Sequence, residues 1–218
     1  DAAYILSRCT SGPQYSWDYR PFRADDNVTG HLIRQSIVQG SAMGVLGAMR
    51  CGMLTPEMEE AMPFASLREA WNAVYEKAQA GCLFAMNMIG NTYFWLDVVR
   101  IEGKGPEDFP SKAAFGQWLR ESELKCLPWF EKAFLGGMGF AGRNMYNLYY
   151  DGEEGVMEPD RSKAEAIARL GAEKGYPDWQ ERYANFLLER EGRAQEALDL
   201  YFAAAKQGQL SSWYHIGK

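Results

Sequence analysis

The sequence predicts an all-α fold: a right-handed α-solenoid of helix-turn-helix units preceded by an irregular N-terminal arm. Three observations predict it. The stretch from Ala141 to Gly175 parses as helix, tight turn, helix, tight turn. Its closing element, Ala-x-x-Gly, recurs at Ala78 to Gly81, Ala133 to Gly136, Ala172 to Gly175 and Ala205 to Gly208, with glycines 55, 39 and 33 residues apart. Its opening element, small-x-x-x-apolar-Gly, recurs as Ala42/Leu46/Gly47, Ala85/Ile89/Gly90, Ala141/Met145/Tyr146, Trp179/Tyr183/Ala184 and Ser212/Ile216/Gly217, two of which depart at the glycine. A pair of short helices cannot bury its apolar stripes alone, so a recurring pair must stack on its neighbours.

Residues 1–30 are polar and turn-rich, with Ser11-Gly12-Pro13, Arg20-Pro21 and Asp26-Asn27 breaking periodicity, yet they carry Tyr4, Tyr15, Trp17, Tyr19 and Phe22. So many rings predict an arm, residues 1–35, packed as a cap over the first helical pair. The array then runs from 36 to 218. Between His31 and Gly52, the glycines at 40, 44 and 47 read as one first helix built for close contact. Thr55-Pro56 reads as an N-cap with proline at the first helical position. From Ser66 to Ala80, the side chains of Leu67, Ala70, Trp71, Val74, Tyr75 and Ala78 share one face. Ala85 to Trp95 opens the second unit, and an insertion near 96–125 follows it, the kind of segment that repeat proteins display on one face. Within it, Gly103-Lys104-Gly105 lacks the spacing of a phosphate-binding loop and reads as a turn.

The unit from 141 to 175 is the clearest. Ala141, Met145, Leu148 and Tyr149 form one stripe. Gly152 ends that helix, since glycine enters the left-handed region without a Cβ penalty. Asp160 caps the next helix, and Ala164, Ile167, Ala168 and Ala172 carry its stripe. Residues 176–208 are a looser copy and 209–218 a truncated fifth.

These residues, Ala-x-x-x-apolar-Gly-x-x-Tyr followed by Gly-x-x-Gly-Val, Asp-x-x-Lys-Ala and Ala-x-x-Gly, resemble the Sel1-like repeat over about four fifths of the chain, with 141–175 and Ala85, Ile89, Gly90 and Tyr93 matching best. Small acidic proteins of this repeat class with a divergent arm resemble the periplasmic immunity proteins that bacteria encode beside type VI secretion effectors of the lipase and phospholipase class. The resemblance implies a module that binds and inhibits a cognate effector by occlusion. The alternative is a repeat adaptor or scaffold in an envelope or signalling complex.

Composition narrows the partners. With 23 Lys and Arg against 29 Asp and Glu the net charge is −6, which disfavours a phosphate backbone. The longest apolar runs, such as Thr92 to Val99, stop well short of the roughly 20 residues that span a bilayer. The chain opens at Asp1 without an initiator Met, which reads either as a removed leader, hence a periplasmic location, or as a start within a longer gene product. Cys9, Cys51, Cys82 and Cys126 form no Cys-x-x-Cys pair; a Cys9–Cys51 disulfide would pin the arm, and buried free thiols are the alternative.

Catalytic patterns are missing from the sequence. His31 and His215 have no metal-ligand neighbour at helical spacing, there is no Gly-x-Ser-x-Gly elbow, and the carboxylates cluster in turns and on solvated faces. The expectation is therefore not an enzyme, with no cofactor, no metal and no small-molecule substrate. Partner contacts are expected from first-helix positions and the insertion: Asn87, Asn91, Phe94, Phe109, Asn144, Asn147 and Tyr150.

Overall fold

Short polar side chains start the helices and left-handed glycines stop them. The computed structural model describes residues 1–10 and 25–217. Asp25, Ser41, Thr55, Ser66, Ser111 and Asp160 each accept a backbone N–H from the first turn of the helix they precede. Gly40, Gly81, Gly103, Gly152, Gly175 and Gly208 close helices with positive φ. In one copy the closing glycine shifts: Gly136 keeps φ −69°, and Gly137 takes the left-handed turn at +114°.

This punctuation yields α1 (Ala2–Thr10), α2 (Asp26–Val38), α3 (Ala42–Arg50), α4 (Pro56–Ala61), α5 (Leu67–Gln79), α6 (Leu83–Phe94), α7 (Val98–Glu102), α8 (Lys112–Leu124) and α9 (Leu127–Leu135). There follow α10 (Gly142–Asp151), α11 (Arg161–Glu173), α12 (Pro177–Leu188), α13 (Ala194–Lys206) and α14 (Leu210–Ile216). Among the described residues β-pairing amounts to one isolated bridge, Glu153 with Met157, in the turn after α10. The chain divides into two compact units, Asp1–Gly136 and Gly137–Lys218.

In the first unit α3 and α5, then α6 and α9, are the helical pairs. Every residue of α3 from Ala42 to Met49 is buried. Its glycines allow this: a Cβ on Gly44 would fall 2.0 Å from the Ser36 hydroxyl, and one on Gly47 2.2 Å from the Tyr4 ring. On α6 a Cβ at Gly90 would fall 2.6 Å from the Phe130 ring of α9.

Three expectations for this unit need correction. The arm is not irregular where it is described. Residues 2–10 and 26–38 are helices, and α2 runs through the expected boundary at 35/36. The arm's polar residues satisfy themselves inside this helical packing: Ser7 and Thr10 bond back to carbonyls one turn earlier, the Thr10 and Thr29 hydroxyls share a 2.8 Å hydrogen bond, and Asp25 caps α2. Tyr15, Trp17, Tyr19 and Phe22 lie outside the described residues. Residues 31–52 are not one helix, because Gly40 at φ +78° ends α2 and Ser41 starts α3. The insertion is mostly helical, containing α7, a 3-10 turn at Pro106–Asp108 and α8. The Gly103 turn inside it is present, at φ +61°.

In the second unit α10 pairs with α11 and α12 with α13, and α14 packs on α13 as a half-unit. Trp179 is the anchor. It is fully buried, a Cβ on Gly171 would lie 2.3 Å from it, and its indole N–H donates to the Gly139 carbonyl oxygen at 2.8 Å.

Candidate functional site

In the first unit a groove runs between α1, α3 and α6. Tyr4, Arg8, Gly47, Arg50, Cys51, Phe84, Asn87, Met88 and Asn91 line it, around a small recess of about 50 Å³. Helical spacing explains why they meet. Arg8 stands one turn after Tyr4 on α1, Asn87 and Asn91 are one turn apart on α6, and Arg50 ends α3 beyond the buried stripe. Phe84 and Met88 supply an apolar wall, while the guanidinium and carboxamide groups supply donors.

Arg50 is held from behind. Its Nη2 donates to Asp97 Oδ2 at 2.5 Å, and both side chains are only 18% exposed. Burial lowers the guanidinium from its ordinary value, with Asp97 opposing; the same burial raises the Asp97 carboxyl, with Arg50 and Arg100 opposing. Asp97 directly follows Leu96, a non-glycine residue in the left-handed region at φ +56°. A bulky residue in that region stores backbone strain. The other end of the guanidinium, Nη1, is enclosed and has no hydrogen-bond partner.

The second unit carries a different surface. The Tyr146 and Tyr150 rings stack at 5.4 Å, and Phe186 meets the Tyr150 ring edge-on at 5.8 Å. Arginines cap these rings: Arg182 lies 4.7 Å from the Tyr146 centroid, and Arg161 4.6 Å from that of Tyr150. Buried Asp178 accepts from Arg143 at 3.1 Å and from Arg182 at 3.2 Å through one oxygen. Burial raises the Tyr146 phenol, with Arg182 opposing. These contacts hold the long side chains of Arg143, Arg161 and Arg182 in place.

Asn87 and Asn91 come together in the groove. Asn144, Asn147 and Tyr150 share α10, where Asn147 is exposed and Asn144 and Tyr150 are half-buried. Phe94 is half-buried against Phe130 and Trp95, and Phe109 packs among Phe115 and Trp118, so both rings have structural contacts of their own. Sequence reasoning missed Arg8, Arg50, Arg161 and Arg182. The available signal was a lone cation one turn from an aromatic or apolar stripe position.

All four cysteines are free thiols, so the expected Cys9–Cys51 bridge is not formed; the Cys9 thiol instead turns onto the Ile5 carbonyl oxygen at 3.8 Å, one turn back on its own helix. Burial, with Glu123 adding to it, pushes the Cys126 thiol up to about 12. Among the described residues no three His, Cys, Asp or Glu side chains gather as metal ligands, and no helix is long and apolar enough to cross a membrane.

No protein-family model matches the sequence, and no curated protein matches it significantly. Among solved structures, c5321, a protective antigen of uropathogenic Escherichia coli strains displaying an SLR fold, aligns over 99% of this chain at 17% identity with a TM-score of 0.50. The fold is that of Sel1-like repeats. The chain spans 40% of the c5321 chain. A Sel1 repeat protein from Oxalobacter formigenes aligns over 99% of this chain and 74% of its own at 16% identity, with a TM-score of 0.48.

Proposed function

We propose that the chain is a protein-binding module that neutralises a partner enzyme by occlusion, the partner being a secreted antibacterial effector of the lipase or phospholipase class that type VI secretion delivers, and the site of action the periplasm. The observation that carries the binding reading is the preformed groove of α1, α3 and α6, where donors from three helices converge above an apolar wall. Such a recess gives orientation and specificity without chemistry. The effector class rests on the repeat residues of 141–175 and the protein class they resemble. An occluding inhibitor needs a large preformed surface, on the order of 800 Å² per partner, and stacked helical pairs are an architecture that provides such surfaces. The net charge of −6 favours a basic cleft as the counterpart, so association should slow as salt rises.

The experiment is co-expression with the product of the adjacent gene, following growth and complex formation. Rescue of growth together with a stoichiometric complex is expected. If that product neither binds nor harms cells lacking this chain, the inhibitor reading fails. A scaffold is the second reading, favoured by the separate surfaces in the two compact units, which would let one chain engage two proteins.

A further inference from the structure

In the second unit α13 and α14 leave an apolar face open to solvent. On α14, Leu210 is 78% and Trp213 50% exposed, and Tyr214, one turn from Leu210, is exposed beside them. Phe202 of α13 is exposed as well and meets the Trp213 ring edge-on at 6.3 Å, which joins the two helices into one patch. The repeat explains why this face is bare. With Ser212 aligned on Trp179, Leu210 and Trp213 stand where α12 carries Pro177 and Gln180. Both of those are buried, and the Gln180 amide oxygen accepts from Gln207, just past the second helix of its own unit. No described helix follows α14, so the same two positions lack that cover. A terminal pair suited to solvent carries a polar outer face, whereas contiguous leucine and aromatic side chains mark a contact surface.

Charge selects the occupant. Asp199, Phe202 and Lys206 are all exposed and, at steps of three and four residues, share one face of α13. Asp199 accepts from the Gln195 amide, and among the described residues neither it nor Lys206 has a salt-bridge partner. An acid and a base placed on either side of an apolar centre are complementary to their own copy turned end for end. We infer that the face of α13 and α14 binds the same face of a second copy of this chain about a two-fold axis. The axis passes beside Phe202, the two α13 helices run antiparallel across it, and Asp199 of each copy meets Lys206 of the other. Leu210 and Trp213 of both copies close over the same contact. Parallel alignment would instead set acid on acid and base on base, which like-charge repulsion disfavours. With two short helices per copy the interface lies at the small end of the range for specific contacts, so the dimer is reversible. It forms without the effector and does not rest on the function proposed above.

The test is sedimentation equilibrium of the purified chain over a concentration series at low salt. A monomer and dimer in exchange are expected. Leu210→Asp should weaken the dimer at least about tenfold. Asp199→Lys and Lys206→Asp should each do the same, because either change opposes like charges at both ends of the contact, and combining the two should restore the original dissociation constant. Melting temperatures measured where the unaltered chain is monomeric should be alike for all of these proteins, since the changed side chains face solvent. The charge rescue keeps the test decisive even where Leu210→Asp lowers stability. A chain that stays monomeric at every concentration overturns the inference in favour of another occupant, a further helical pair or an unrelated protein. A dimer that Leu210→Asp leaves intact places the contact elsewhere, and single charge changes that their combination does not rescue remove the two-fold pairing; either result overturns the inference. None of these outcomes bears on neutralisation of the effector, which the co-expression experiment decides.

Discussion

The glycine position of the repeat is used in opposite ways in the two units. In the first, Gly47 and Gly90 are holes that Tyr4 and Phe130 fill from other helices. In the second, the corresponding place on α10 carries Tyr146, and the ring itself fills the space, stacked on Tyr150 and capped by Arg182. The consequence is a difference in surface. Where the first helix is hollowed, its neighbours form a recess lined by polar groups; where it carries the ring, it presents an aromatic face held by arginines. One backbone unit thus yields two kinds of surface, set by whether the aromatic side chain arrives from outside the helix or grows from it.

The largest expected effect tests whether each packing mode depends on one ring. Trp179→Ala and Phe130→Ala should each lower stability by about 3–5 kcal/mol, as deletions of fully buried aromatics do, measured by denaturant unfolding. Small losses at both sites would mean that neither ring organises its unit. Next in size is the hole itself. Gly90→Ala should cost about 1–3 kcal/mol, because Phe130 is fully enclosed and cannot swing aside. Combining it with Phe130→Leu should cost less than the sum of the two single changes, and strict additivity would show that the two residues are not coupled.

The ion pairs sharpen the comparison further. Arg50→Gln leaves Asp97 half-buried without its cation and should cost about 1–3 kcal/mol. Arg182→Gln should cost about 1 kcal/mol or less, since Asp178 keeps Arg143. Equal losses would contradict the view that Asp97 depends on one hydrogen-bonded arginine and Asp178 on a shared pair. The smallest effect is a contrast in pH dependence. Asp97 is raised by burial, so its contribution is fully present below the ordinary carboxylate pKa of about 3.9 and is lost as pH rises through its folded value. Asp160 is lowered, first by its hydrogen bond from the Lys163 amide, so its contribution is present above that range and is lost as pH falls through its folded value. Melting temperatures across the acid range should change slope in opposite directions for Asp97→Asn and Asp160→Asn, and parallel curves would refute the assignment.

Asp160, Ser66, Thr55-Pro56 and the closing glycines at 81, 152, 175 and 208 were all legible, because a cap or a left-handed stop involves residues only a few positions apart. The helical stripes were legible for the same reason. The arm misled because Ser7, Thr10 and Thr29 are polar, yet their hydroxyls are taken up by carbonyls one turn back and by the Thr10–Thr29 bond between α1 and α2, which leaves both segments free to be helical. Phe94 and Phe109 were expected as partner contacts because the sequence does not say which of the protein's own rings come to rest on them.

By itself the sequence determined the all-α class, the repeating pair, the helix ends marked by caps and closing glycines, and the glycines where helices meet, since these depend on local hydrogen bonding and on a period of 3.6 residues. The tertiary structure alone decided which residues become sites. Arg50 and Asp97 are 47 positions apart, and Tyr4 reaches Gly47 across a similar span, so neither pairing leaves a periodic trace. Whether a glycine becomes a hole, and whether an arginine beside it is buried against a carboxylate or laid on a ring, depends on what distant segments pack there, and close packing admits one arrangement where the sequence pattern allows many.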